Sequence, residues 1–155
     1  MNPPRRTFLH LTARVGALAA AWSAGLLASG WVRAATWNKA GFESKALADV
    51  MKSLGATGAS ESKEIAITAP DIAENGAVVP IAVTSRLANT QQISIVAEKN
   101  PFPLAATFDV AGGGEGYVSA RIKMGQTSDV WAVVKADGKY YVAKKEVKIT
   151  VGGCG

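Results

Sequence analysis

Val130-Trp131-Ala132-Val133-Val134-Lys135-Ala136-Asp137-Gly138-Lys139-Tyr140-Tyr141-Val142 is the stretch that decides the fold. Val130, Ala132 and Val134 alternate before Asp137-Gly138, and Tyr140 and Val142 alternate after it. Apolar residues at period two mark half-buried strands, and Asp-Gly between two such runs marks a hairpin. Outward from that hairpin the same period recurs. Toward the C-terminus it continues through Val147, Ile149 and Val151, with Lys144 and Lys145 as the candidate place for a bulge or break. Toward the N-terminus it reappears at Val118, Ala120, Ile122 and Met124, at Ala106, Phe108 and Val110, and at Ile93 and Ile95. Val79, Ile81 and Val83, then Ile65 and Ile67, complete the set. Roughly seven strands joined by short turns, with no helix between them, describe a mainly β chain, an immunoglobulin-like antiparallel β-sandwich. A disulfide between the sheets is excluded by the single Cys, so Trp131 and the aliphatic faces are expected to supply the core. Pro80 places its strand at an edge, or puts its missing N–H where no partner needs it.

Upstream of the strands the period is different. Phe42, Ala46, Leu47, Val50, Met51 and Leu54 recur at spacings of three to five, which predicts one helix over Asn38 to Leu54, stopped by Gly55.

Charge separates the N-terminus from the rest. Of 17 basic and 12 acidic residues in 155, the first 34 positions hold Arg5, Arg6, Arg14 and Arg33, no acid, and the single His. Without them the chain has 121 residues, 13 basic and 12 acidic groups, and a net charge of +1. So balanced a domain lacks the electrostatic footprint of a nucleic-acid binder. With no His and one Cys it also cannot assemble a Ser-His-Asp or Cys-His unit, a structural zinc site or a haem His ligand. Arg5-Arg6, followed by Phe8-Leu9 and an alanine-rich apolar run ending in Val32-Arg33-Ala34, resembles a cleavable twin-arginine signal. The expected organisation is therefore a signal peptide at 1–34, a helix and β-sandwich domain at 35–150 and a flexible arm at 151–155. The location is the periplasm, without stable membrane association. Folded export serves proteins that acquire a cofactor or a partner first, and this chain has almost no ligands for a metal. A co-exported partner is the remaining reason.

Three features have ordinary readings. Ala111 to Gly116 is glycine-rich, but a strand follows it, whereas a phosphate cradle needs a helix N-terminus; a flexible hairpin loop is expected. Phe102, in the stiff turn Asn100-Pro101-Phe102-Pro103, is either packed under the turn or displayed to a partner, and packing is the expected reading. Lys135, Lys139, Lys144, Lys145 and Lys148 read as a solvated face, with steering of anions or acidic partners as the alternative.

Gly152-Gly153-Cys154-Gly155 is the exception. A core Cys sits within an element, but Cys154 lies beyond the last apolar residue, between glycines. Val151 to Cys154, extended, reach about 13–14 Å, and glycines present no side chain to a narrow channel. Without a neighbouring His, Arg or helix N-terminus the thiol is expected to be a poor nucleophile until a partner's positively charged site activates it. A thiol peroxidase is thereby disfavoured. A structural or adhesion module that forms an intermolecular disulfide through Cys154 is the alternative from another class.

Lys145 to Gly155 closely resembles the C-terminal end of the SoxY family, sulfur carriers of the periplasmic thiosulfate-oxidising Sox system. The resemblance extends to the leader, to Glu74-Asn75-Gly76 with Val79-Pro80-Ile81, to Asn100-Pro101-Phe102-Pro103 and to Ala120-Arg121-Ile122-Lys123-Met124. Family members commonly end in two glycines after the Cys, and this chain has only Gly155. The resemblance implies a non-catalytic subunit without a cofactor, paired with a SoxZ-like subunit, that bears substrate covalently on Cys154. It also implies transient docking to a c-type cytochrome that couples thiosulfate to the thiol, to a manganese-containing hydrolase that releases sulfate, and to a molybdenum sulfur dehydrogenase.

Overall fold

The computed structural model describes residues 37–112 and 114–150. The leader residues Arg5, Arg6, Phe8 and Leu9, and the arm residues Gly152, Gly153, Cys154 and Gly155, lie outside the described residues.

Two short helices open the domain, α1 (Lys39–Glu43) and α2 (Leu47–Leu54), where periodicity predicted one. Asn38 caps the start of α1, its Oδ1 accepting from the Gly41 N–H at 3.0 Å. The interruption falls at Ser44, whose Oγ donates to Ala40 O at 2.7 Å, a side-chain bond to nearby backbone that competes with the helix ladder. Ser44 and Ala46 then take extended backbone, with ψ of 142° and 146°. α2 ends at Gly55 as predicted: its φ of 76° is left-handed and its N–H returns to Lys52 O.

Nine strands follow among the described residues: β1 (Ser60–Glu61), β2 (Ile65–Thr68), β3 (Ile72–Ala73), β4 (Val79–Ser85), β5 (Thr90–Ala97), β6 (Leu104–Asp109), β7 (Tyr117–Ile122), β8 (Ser128–Ala136) and β9 (Lys139–Ile149). The seven longer ones are the runs read from alternation. β1 and β3, two residues each, are too short to show a period, and both pair parallel to β9 in an otherwise antiparallel structure. One sheet runs β1-β9-β8-β5-β6, with β3 also on β9; the other is β2-β4-β7.

The Asp137-Gly138 turn closes the β8–β9 hairpin with φ of 49° and 72°, the two positive values of a type I′ turn. Pairing from Ser128–Val147 to Ala136–Lys139 is uninterrupted, so Lys144 and Lys145 mark no bulge. The register shifts fall instead in β5. Pro80 lies in the middle strand of its sheet. The Ser85 N–H donates toward β7, to Gly116 O, so by alternation Pro80 faces the other side, and there β2 has already ended with Thr68 opposite Ala82. Its missing N–H deprives no partner. The glycine-rich segment is not a hairpin loop: β6 and β7 belong to different sheets, and the segment carries the chain between them.

Two apolar cores result. Between the sheets lie Val79, Ile81 and Val83 of β4, Ile93 and Ile95 of β5, and Val130, Val134 and Val147 of the hairpin. Each fully buried aliphatic side chain contributes roughly 1.5–3 kcal/mol. The second core joins the other face of the larger sheet to the helices, through Val50 and Leu54 against Val96, Leu104, Val133 and Val142. Burial on both faces explains why Ile93 to Ala97 are buried consecutively rather than alternately. Trp131 belongs to the helix side, not between the sheets: its Nε1–H donates to Glu98 Oε2 at 2.8 Å, and Lys144 Nζ lies 5.1 Å from its ring centroid.

Candidate functional site at the root of the C-terminal segment

β9 leads directly to the glycine–cysteine sequence, and its last residues are held from two sides. β3 runs parallel beside it, so that the Lys148 N–H donates to Asp71 O at 3.0 Å and the Thr150 N–H to Ala73 O at 3.2 Å. The intervening Ile149 N–H points the other way, as alternation requires, and donates to Thr127 Oγ1 at 3.0 Å. Three consecutive backbone donors are thus bonded up to Thr150. Lys145 adds a side-chain link, donating to Ala69 O at 2.7 Å and pairing with Asp71 Oδ1 at 3.0 Å. Asp71 is 88% exposed at its side chain, so that ion pair is worth at most ~1 kcal/mol. The backbone bonds are the firmer part of the clamp.

Around this root the separate segments of the sequence converge. Gly76 O accepts from the Met124 N–H at 2.7 Å. A Cβ on Gly76 would collide with Met124 O and come within 3.1 Å of Ile149 Cγ2. Asn75 shapes the preceding turn by accepting from the Ala77 N–H at 2.9 Å. Asn100 reaches across to the loop after β7, donating to Lys123 O at 2.6 Å and accepting from the Gly125 N–H at 3.2 Å. Glu74-Asn75-Gly76, the Asn100 turn and the end of Ala120–Met124 are therefore tied to one another at the end of the sandwich where β9 finishes.

Phe102, expected to pack, is 53% exposed, and Ile72 and Val78 beside the root are exposed as well. The five lysines do not form a uniform solvated face. Lys145 is bound as described, Lys144 pairs with Asp129 at 3.4 Å and Lys135 lies over Tyr140. Among the described residues no group of three or more His, Cys, Asp or Glu could hold a metal ion. The glycine-rich segment borders an open cavity of about 550 Å³ lined by Leu87, Asn89, Gln91 and Asp137 at the opposite end of the sandwich.

Sequence reading located neither Asp71, Ala73 nor Thr127 at the root. Asp71 and Ala73 accept β9's amides through carbonyl oxygens that any residue supplies, and the third is a lone Thr in a loop.

The family model described as "Sulfur oxidation protein SoxY" matches residues 50–154, a span that ends on Cys154. Among solved structures, the sulfur carrier protein SoxY from Chlorobium limicola f thiosulfatophilum is similar at 44% identity and a TM-score of 0.55. That match covers 59% of this chain and 83% of the other. A variant of the superoxide reductase (neelaredoxin) from Ignicoccus hospitalis shares 18% identity over 58% of this chain and 82% of its own, with a TM-score of 0.50. At that identity the likeness concerns the fold alone. No curated protein matches the chain.

Proposed function

The chain belongs to the SoxY family of sulfur-oxidation proteins, and from that premise we propose that it is a covalent carrier holding thiosulfate-derived intermediates on Cys154. The observation that carries this reading is the family match through the chain's one Cys, four residues along the sequence from the hydrogen-bonded Thr150. A fixed root ahead of a glycine-flanked Cys is what a carrier needs to present one thiol to several enzymes.

The chemistry asks little of the carrier. Coupling joins the Cys154 thiolate to the outer sulfur of thiosulfate: RS⁻ + S₂O₃²⁻ → RS–S–SO₃⁻ + 2 e⁻, with both electrons passing to the c-type cytochrome. Hydrolysis follows: RS–S–SO₃⁻ + H₂O → RS–S⁻ + SO₄²⁻ + 2 H⁺, on the manganese-containing hydrolase. The sulfane sulfur left on Cys154 is then oxidised, by a sulfur dehydrogenase in the complete pathway. In this reading the chain supplies the thiol and the tether, and its partner enzymes supply the catalysis. Gly152, Gly153 and Gly155 let the thiol pass through a narrow entrance. The stable form is a heterodimer with a SoxZ-like subunit, delivered to the periplasm by the twin-arginine route.

The direct test is the mass of the C-terminal peptide after exposure to thiosulfate and the coupling enzyme. A thiosulfonate or extra sulfur atoms on Cys154 support the reading. A peptide that stays unmodified where an established carrier is loaded overturns it.

Export gives an independent prediction. Arg5→Lys with Arg6→Lys is expected to abolish periplasmic delivery and to leave the co-expressed partner in the cytoplasm. Fractionation with immunoblotting of both chains measures it; a partner that still reaches the periplasm beside the stranded double mutant would refute co-export.

A further inference from the structure

β1, β2, β6 and β7 end the two sheets, and they are not equally guarded. β1 has two residues and β2 four, and beside β6 the register of β5 shifts. Short strands and bulges are ordinary ways of blunting an edge. β7 has neither. It runs six residues without a Pro, and among the described residues it pairs with β4 alone, without a register shift. Val118 and Ala120 pack against the core yet are only half-buried, as edge residues with nothing beside them are.

The ladder fixes which backbone groups that edge presents. The Ser85 N–H donates to Gly116 O, so in the same register Val118, Ala120 and Ile122 turn their N–H and C=O groups to β4, and Tyr117, Ser119 and Arg121 turn theirs away. The Tyr117 N–H bends back to Glu115 O at 2.8 Å. That leaves the Ser119 and Arg121 N–H groups facing outward, with the carbonyls of all three. The side chains of Tyr117, Ser119 and Arg121 are exposed, and Glu115 and Lys123, exposed as well, stand just beyond the two ends. Among the described residues Glu115, Arg121 and Lys123 make no salt bridge.

This order of residues is self-complementary about Ser119. When two copies of β7 meet antiparallel across a two-fold axis at Ser119, each Tyr117 faces the other copy's Arg121 and each Glu115 faces the other copy's Lys123. Each Ser119 N–H then meets the other copy's Ser119 O, and each Arg121 N–H the other copy's Tyr117 O, so every outward donor of β7 is bonded. A guanidinium over a phenol ring and a carboxylate opposite an ammonium are both favourable cross-strand pairs. A slip by one residue would turn core-facing side chains to the outer face. A slip by two, the nearest register that alternation allows, leaves either Lys123 or Glu115 without its opposite charge. We infer that the open edge of β7 seats a second copy of this chain, the two three-stranded sheets joining into one of six strands. The symmetry of the pattern selects that occupant, because an edge that receives a different strand has no need of opposite charges equidistant from one central residue. The inference is independent of the carrier reading. In the antiparallel pair the Lys123 ends point apart, so the two roots, tied to Met124 through Gly76 O, lie at opposite ends of the joined sheet.

The test is sedimentation equilibrium of the full mature chain in reductant, alone and with its SoxZ-like subunit, with thermal melting of each variant. The unsubstituted chain alone is expected to form dimers whose fraction rises with concentration. Ser119→Pro removes the central donor and is expected to weaken dimerisation by about 100-fold, while the fold survives because that N–H faces away from β4. Glu115→Lys and Lys123→Glu are each expected to weaken it about 5-fold by setting like charges opposite one another. Both together are expected to return it to within about 2-fold, since exchanging the two signs again sets opposite charges face to face. These exposed positions keep the test valid if Ser119→Pro fails to fold. A chain that stays monomeric would overturn the inference, as would undiminished dimers of a normally melting Ser119→Pro chain, or a double charge exchange no stronger than either single one. A SoxZ-like subunit whose binding is lost with Ser119→Pro would assign the edge to that subunit and overturn the second copy.

Discussion

A Cys154→Ser chain is expected to fold, melt and bind its partner as the unsubstituted chain does, and to support no thiosulfate-dependent sulfate release above background. The first half follows from where the core ends. Among the described residues, every member of the two apolar clusters lies before Thr150, and the last bonded backbone donor is the Thr150 N–H. A substitution four residues further along the sequence is expected to change stability by less than about 0.5 kcal/mol. The second half follows from the bond that must form. A serine oxygen cannot take up the outer sulfur of thiosulfate as a disulfide-type link, so the loss is complete rather than graded. Joint replacement of Gly152 and Gly153 by Trp separates this from the alternative reading, a module joined through an intermolecular disulfide. A carrier so altered keeps a titratable thiol but loses turnover, because two indoles cannot follow the thiol into a narrow site. A disulfide-linked module tolerates the swap and loses its dimer only with Cys154→Ser. A reconstituted Sox system with quantified sulfate measures both, and sulfate release by Cys154→Ser at the unsubstituted rate would end the carrier assignment.

The features legible in the sequence are those that repeat locally. Seven strands announced themselves through alternation, the β8–β9 turn through Asp137-Gly138, and the end of α2 through Gly55. What escaped is long-range or concerns single residues. The break at Ser44 depends on side chains of ordinary helical tolerance turning back on their own backbone. β3 exists because β9 offers it an edge, not because Ile72 and Ala73 carry a pattern. Trp131 is out of phase with Val130, Ala132 and Val134, so alternation itself turns it to the other face of β8, which the helices cover. Phe102 looked like a packing residue by type, but its position between Pro101 and Pro103 on a stiff turn leaves it outside. The candidate thiol was legible from its neighbours alone. Its root was not, because Asp71, Ala73 and Thr127 meet β9 only in the folded chain. Asn100 and Gly76 were visible as segments without a stated role, and their convergence on the loop after β7 supplies one.

Gly76 shows how closely that convergence is set. Gly76→Val is expected to destabilise the fold by about 3 kcal/mol, the upper range for overpacking, and to lower Tm by roughly 10–15 °C. Handedness is not the reason, since Gly76 is not among the glycines with positive φ. The obstacle is Met124 O, a backbone atom of a residue only 1% exposed, with Ile149 Cγ2 closing the other side. Neither can swing aside as the end of a long side chain would. The Met124 N–H to Gly76 O bond is then lost together with the packing, and β3, four residues upstream, loses its support against β9. The Ile149 and Thr150 amides are accordingly expected to exchange with solvent well before the rest of β9, which would move the last held residue back along the strand by one or two positions of about 3.3–3.6 Å each. Gly125→Ala is the matched control, because nothing lies within 4 Å of a Cβ there, and it is expected to stay within about 0.5 kcal/mol. Thermal melting and amide exchange read both effects. A Gly76→Val chain that melts like the control and keeps its Ile149 and Thr150 amides protected would show that the root is not held by this contact.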